Sequence, residues 1–111
     1  MFRFADGTEV YCEHTSHHPP VSNFLIIGKG FRFYGRYEYI AKGNTTFSEL
    51  KMIQDGPNIV EFTNFKEKIV FNLPCSKLSG LMGGDRTLKW SGIMSFLNEG
   101  QNLKAVLKIG L

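Results

Sequence analysis

Hydrophobic and polar residues alternate along much of the chain, and an alternation with period two predicts β-strands. The clearest stretch covers residues 31–42, where Phe31, Phe33, Tyr37 and Tyr39 fall on one face together with Gly35. The opposite face carries the charged residues of this stretch, namely Arg32, Arg36, Glu38 and Lys42. The same reasoning predicts eight further strands, at residues 8–15, 21–27, 46–54, 59–63, 68–73, 77–81, 87–97 and 103–109.

Glycine, proline and asparagine separate these strands in the way expected of turns, as in Gly28-Lys29-Gly30 and Asp55-Gly56-Pro57-Asn58. Gly35, in the middle of a strand, indicates a bend or a close approach of another group to the backbone. No stretch has helical periodicity, although we allow for one helical turn at residues 76–82. The pattern therefore predicts an all-β fold, an antiparallel meander within one small domain.

The chain has 111 residues, of which 42% are hydrophobic, 21% are charged and 14% are aromatic, with ten phenylalanines. So much ring surface in so short a chain favours a large apolar interior or an apolar ligand. Several predicted strands are apolar on both faces, for example with Phe47 and Ile53 on one side and Leu50 and Met52 on the other. A sheet of this kind needs cover on both sides.

Charge and cysteine content further limit the class of protein to which this chain can belong. The net charge is +3, and the lysines and arginines are scattered without a run, so we expect no nucleic acid partner. Cys12 and Cys75 do not make a disulfide framework, and we expect two reduced, largely buried thiols. No signal peptide and no apolar run of membrane-spanning length is apparent, which favours a cytoplasmic protein.

The string His17-His18-Pro19-Pro20 is the main candidate for a site. Neither proline can continue a paired central strand, and the residue before a proline is held in an extended conformation. We therefore expect the strand to end here in a stiff, extended corner that turns both imidazoles toward one opening. Each imidazole donates one or two hydrogen bonds, and a phosphate favours the doubly donating form. The pair therefore suits a phosphate ligand.

Residues 13–20, Glu13-His14-Thr15-Ser16-His17-His18-Pro19-Pro20, resemble the EQVSHHPP fingerprint of the oxysterol-binding-protein-related lipid-transfer proteins. Six of the eight residues agree; His14 replaces the family's Gln and Thr15 replaces its Val. Gly30-Phe31-Arg32-Phe33-Tyr34-Gly35 and Lys89-Trp90-Ser91-Gly92 add support. The resemblance implies that residues 1–111 are part of a large lipid-binding β-barrel domain, without its N-terminal lid and its C-terminal part.

The same resemblance implies a function. Phosphatidylinositol 4-phosphate would be exchanged between membranes against sterol or another phospholipid such as phosphatidylserine, without enzymatic chemistry, by a cytoplasmic protein that contacts membranes peripherally. His17 and His18 would bind the 4-phosphate, with Glu13, Ser16, Pro19 and Pro20 as the structural part of the fingerprint. Phe31, Phe33, Tyr37 and Tyr39 would line the tunnel, unless they are simply core. The chain alone is expected to self-associate and not to transfer lipid.

Three alternatives use the same residues. Three histidines within five positions suit zinc, but His14 and His17 should face opposite sides of a strand, so no metal site is expected. Ser16 and His17 could form a catalytic pair with Glu13 nearby, but neighbours on an extended chain diverge and no nucleophile elbow is present. Finally, the corner could be the protein-binding loop of a small β-sandwich interaction module. The family residue is restored by His14→Gln, which is expected to have little effect.

Overall fold

The computed structural model describes residues 1–44 and 48–110, and these residues form ten β-strands in a single antiparallel sheet. The strands are β1 (Phe2–Arg3), β2 (Glu9–His17), β3 (Pro20–Gly28), β4 (Phe31–Gly43), β5 (Glu49–Asp55), β6 (Asn58–Phe62), β7 (Glu67–Phe71), β8 (Cys75–Ser79), β9 (Thr87–Asn98) and β10 (Leu103–Ile109).

Hydrogen-bond register shows that the sheet is a meander of long strands. Strands β5 and β6 both pair with the same edge of β4, in one continuous register that Gly56 and Pro57 interrupt. Strands β7 and β8 likewise both pair with β9, on either side of residues 72–74. At this second break the side chain of Asn72 replaces the backbone ladder, because it accepts from Ser95 N and donates to the carbonyl of Ile93. The predicted antiparallel meander is therefore confirmed.

The nine predicted strands are all found in the predicted order, with several corrections at their ends. The prediction missed the short β1, and it ended β2 two residues early and began β3 one residue late around the proline pair. The segment expected at 77–81 is a strand throughout Cys75–Ser79, so no helical turn forms there, and it lies inside the sheet between β5 and β9. Thr46 and Phe47, which the prediction placed in a strand, lie outside the described residues.

The sheet is thin and exposes much of both faces. Its radius of gyration is 16.9 Å, whereas a compact domain of this length has about 13 Å. The accessible surface is 8226 Å², compared with about 6,200 Å² for a compact protein of this mass. Val21, with 5% of its surface exposed, is the one buried hydrophobic residue in the part of the chain that is described. The single sheet gives no support to a β-sandwich, which needs two stacked sheets.

The two cysteines are more accessible than the sequence predicts. Cys12 is exposed and Cys75 is half-buried, so the prediction of two largely buried thiols was wrong. Both lie in strands of a sheet without a second layer, which is why neither is enclosed. Within the described ranges, no helix is long and apolar enough to cross a membrane.

Candidate functional site

The two prolines of the fingerprint lie in a tight β-hairpin, not in an open corner. His17 pairs with Pro20 across the hairpin, and His18 and Pro19 form the two-residue turn with a cis peptide bond between them. Pro20 is the first residue of β3, a position in which a missing N–H is tolerated. Strand β2 does end before the prolines, at His17, as predicted, but the prediction of a stiff, extended corner was wrong, because the chain reverses within the string itself.

A β-bulge at Thr15 brings a third histidine to the pair. His14 is opposite Ser22 and Ser16 is opposite Val21, so Thr15 is an extra residue in β2. An extra residue reverses the alternation of side chains beyond it. As a result the ring centroids of His14 and His17 are 5.7 Å apart, and those of His17 and His18 are 4.8 Å apart. The prediction that His14 and His17 face opposite sides was wrong for this reason.

The two residues that depart from the family pattern are both fixed by hydrogen bonds at this bulge. The Thr15 hydroxyl accepts from Asn23 Nδ2 at 2.8 Å and donates to the carbonyl of Val21 at 3.4 Å. His14 Nδ1 lies 3.1 Å from the Ser22 hydroxyl, which orients the ring and leaves Nε2 for another partner. The rings of all three histidines are exposed, so a dissolved or membrane-borne ligand can reach them.

The remaining fingerprint residues frame this cluster. Glu13 is opposite Asn23 and points to the other face of the sheet from His14, and Ser16 is half-buried opposite Val21. Pro19 lies in the turn and Pro20 begins β3. Although three imidazoles lie close together, no group of three or more His, Cys, Asp or Glu residues in the described ranges is arranged to hold a metal ion.

An aromatic row runs across the same face of the sheet as His14. We define it as six side chains in successive contact, with centroid separations of 5.0–6.1 Å: Tyr39, Tyr37, Phe24, Phe33, Phe71 and Phe96. Four strands contribute to it, since it crosses from β3 and β4 through β7 to β9. The histidine cluster adjoins its tyrosine end, because Ser22, which contacts His14, pairs directly with Tyr37.

Gly35 allows the row to be continuous. The ring of Phe24 lies across it, and a Cβ at this position would be 2.8 Å from that ring. The close approach predicted for Gly35 is therefore confirmed, and Phe24 reaches Phe33 on one side and Tyr37 on the other. The pKa of Tyr37 is raised, mainly by desolvation and to a lesser extent by the hydrogen bond with the phenol of Tyr39, so its hydroxyl stays neutral.

Phe31, Phe33, Tyr37 and Tyr39 share one face, as predicted, since β4 pairs with β3 over residues 31–38 and with β5 over residues 38–43 without a bulge. Phe31 lies outside the aromatic row, with its ring packed over Gly28. Sequence reasoning did not select Phe24, Phe71 or Phe96, whose place in the row depends on which residues pair across strands. The apolar run at residues 24–27 of β3 could have indicated Phe24, but the other two could not have been found without the register.

A cluster of hydrogen-bond donors thus lies beside an aromatic sheet face, and solved structures share the fold. The Osh3 ORD of Saccharomyces cerevisiae, solved in complex with PI(4)P, matches with a TM-score of 0.80 and 18% identity over 94% of this chain and 28% of its own. The Osh1 ORD domain, solved with ergosterol, matches with a TM-score of 0.78 and 17% identity over 90% of this chain and 24% of its own. The described strands thus have the fold of part of these ORD domains.

The chain belongs to the oxysterol-binding protein family, whose model matches residues 1–110. Oxysterol-binding protein 9 of Dictyostelium discoideum is 33% identical over 107 residues, which cover 93% of this chain and 24% of that protein. Oxysterol-binding protein-related protein 5 of the mouse is 30% identical over 99 residues, which cover 89% of this chain and 11% of that protein. The chain thus spans a quarter or less of the length of these relatives.

Proposed function

We propose that this chain is part of a protein that exchanges phosphatidylinositol 4-phosphate against a second lipid, a sterol or another phospholipid, between membranes. The observation that carries the proposal is the histidine cluster at one end of the aromatic row. The imidazoles are suited to a phosphate, and the row is suited to acyl chains or a sterol. Both lipids would compete for the apolar surface, while only one would use the histidines.

The domain assignment and the location of the protein are part of this proposal. Residues 1–111 would be an inner portion of the lipid-binding domain, since curated relatives extend far beyond the matched region. The protein would work in the cytoplasm and meet membranes at their surface. The exposed apolar residues on the sheet, such as Trp90 and Leu88, would be covered by lipid or by other parts of the barrel.

The site binds and releases lipid without changing it. The Ser–His pair closest to a catalytic arrangement is Ser22 with His14, at 3.1 Å. In a catalytic pair the histidine is oriented by an acid and the hydroxyl lies beside donors for an oxyanion. Here the group next to His14 is the imidazole of His17, where a catalytic pair would have an acid. Ligand binding is therefore the better use of these residues.

His14 is proposed to be a third donor to the phosphate. It lies next to His17 and its Nε2 is left for a ligand, whereas the Gln of the family pattern could offer only a neutral amide. Charge-assisted hydrogen bonds are stronger than neutral ones by about 1 kcal/mol.

We therefore expect His14→Gln to weaken phosphoinositide binding about fivefold and to leave the second lipid unaffected. Equilibrium binding of fluorescent lipids measures both. The sequence alone predicted little effect because the substitution restores the family residue, whereas the position of the His14 ring beside His17 predicts a loss. Unchanged phosphoinositide affinity in His14→Gln would show that the third ring takes no part.

The proposed function is tested by extracting lipid from the purified full-length protein and identifying it by mass spectrometry. We expect stoichiometric phosphoinositide together with one further lipid class. Loading from vesicles that contain phosphatidylinositol without the 4-phosphate is the matched control and should leave the headgroup site empty. Recovery of no stoichiometric lipid, or equal loading of both phosphoinositides, would count against the proposal.

A further inference from the structure

Four lysines that are far apart in the sequence form one row across the sheet. Lys42 pairs directly with Lys51, Lys51 pairs with Lys77, and Lys77 pairs with Lys89. Directly opposed residues of neighbouring strands point to the same face, so the four side chains lie side by side. Three steps between strands of about 4.8 Å each give this lysine row a length of about 14 Å.

The lysine row lies on the opposite face from the aromatic row. Side chains alternate along each strand, so Lys42 and Tyr39 of β4 lie on opposite faces. Lys77 and Ser76 of β8 also lie on opposite faces, and Ser76 pairs with Met52 and Trp90. The lysine row therefore lies outside the lipid-binding surface proposed above. It borders a cleft of about 370 Å³, whose other lining residues include Gly43, Asn44, Cys75 and Ser91.

The row is nearly uncompensated. All four lysines are exposed, and among residues 1–44 and 48–110 the ion pairs include one of them, Lys77, whose Nζ is 3.1 Å from Glu49 Oε2. Like charges directly opposite each other in a sheet are destabilising. Three such pairs in succession therefore indicate a surface that is stabilised when an anionic partner covers it.

We propose that the lysine row docks the protein onto an anionic lipid bilayer. Lysines near a membrane that contains acidic phospholipids are attracted to its negative surface potential. The loop that follows β8 supports this choice, because it begins one residue beyond Ser79 and carries Met82, whose side chain is 73% exposed. An exposed apolar side chain in the loop that follows a lysine-bearing strand is suited to the boundary between headgroups and acyl chains.

The choice of a bilayer over other polyanions rests on the proposed function, since an exchange protein must meet membranes. Among the described residues, the lysines of the row have no aromatic neighbour two positions away on their own strands. These neighbours on the same face are Ile40, Asn44, Glu49, Ile53, Cys75, Ser79, Thr87 and Ser91. Single-stranded nucleic acid is bound by basic residues combined with aromatic stacking. A bilayer surface therefore fits this face better.

The test compares two double variants of the full-length protein with equal charge. Lys51→Gln/Lys89→Gln interrupts every pair of the lysine row but leaves the Lys77–Glu49 pair. Lys104→Gln/Lys108→Gln removes two exposed lysines of β10 on the same face and is the matched control. Binding is measured by co-sedimentation with phosphatidylcholine vesicles, with and without phosphatidylserine and always without phosphoinositide. The His17→Ala/His18→Ala variant is included to separate docking from headgroup recognition.

We expect Lys51→Gln/Lys89→Gln to bind phosphatidylserine vesicles about 10- to 30-fold more weakly, and the control variant to lose less than about threefold. The histidine variant should bind these vesicles normally, so a failure of the proposed function would not affect this result. Without lipid, the melting temperature of Lys51→Gln/Lys89→Gln should rise by about 2–5 °C because repulsion is relieved.

Three results would overturn the inference. Equal losses in both double variants would indicate a response to total charge and not to the row. Unchanged vesicle binding with a lowered melting temperature would show that an acidic segment of the protein already covers the lysines. Binding of a single-stranded oligonucleotide that depends on the row, without any such dependence for vesicles, would assign the surface to nucleic acid.

Discussion

Replacing His17 and His18 together by alanine is expected to abolish phosphoinositide extraction by the full-length protein. The two rings lie 4.8 Å apart at the hairpin turn and are both exposed, so they can donate to one phosphate. Each charge-assisted hydrogen bond to a phosphate is worth about 1.5–3 kcal/mol. Loss of two such bonds weakens binding by at least about 100-fold. Extraction of phosphatidylinositol 4-phosphate from vesicles, followed by mass spectrometry, measures the effect.

The second lipid is the internal control for this experiment. It has no 4-phosphate, so its extraction should be unchanged, and the melting temperature of the variant should stay close to that of the wild type. Equal loss of both lipids would mean that the histidines maintain the hairpin and do not recognise the headgroup. Normal phosphoinositide extraction would assign the phosphate to other residues.

The sequence predicted the strands well wherever one face is apolar and the other polar. Strand β10 was predicted with its observed bounds, and β4 differs by one residue at its end. The errors in the predicted strand ends lie where backbone pairing allows a residue that usually ends a strand. Pro20 was excluded from a strand because it lacks an N–H, yet it occupies the first position of β3, where no donor is required.

The site could be predicted in part, because local sequence identifies residues but not their partners. His17 and His18 were selected from their neighbours in the chain. His14 lies beside His17 because of the bulge at Thr15, and no local sequence pattern predicted that bulge. In the sequence the four lysines are scattered. Lys42 and Lys89 belong to one row only because of the register of four strands.

Replacing Gly56 by alanine is expected to have the largest effect on stability. Gly56 interrupts the long strand made of β5 and β6, and its φ of 149° lies in a region that is nearly restricted to glycine. A Cβ at this position would overlap the carbonyl oxygen of Arg36, and it would also lie 2.9 Å from the Cα of Tyr37. Both contacts are with the backbone of β4, so no side-chain rotation can relieve them.

We expect Gly56→Ala to lower the free energy of unfolding by about 3–5 kcal/mol, since backbone strain adds to overpacking. Gly56 lies where β4 changes its partner from β5 to β6, so a shift there should also disturb the aromatic residues of β4. Extraction of both lipids should then fall together. Gly100→Ala is the matched control, because its Cβ would meet no atom closer than 3.6 Å. Urea unfolding of the two variants in the full-length protein measures the difference. Similar midpoints for both would show that the strand can shift at Gly56, and that the two halves of β4 are held less rigidly than the register implies.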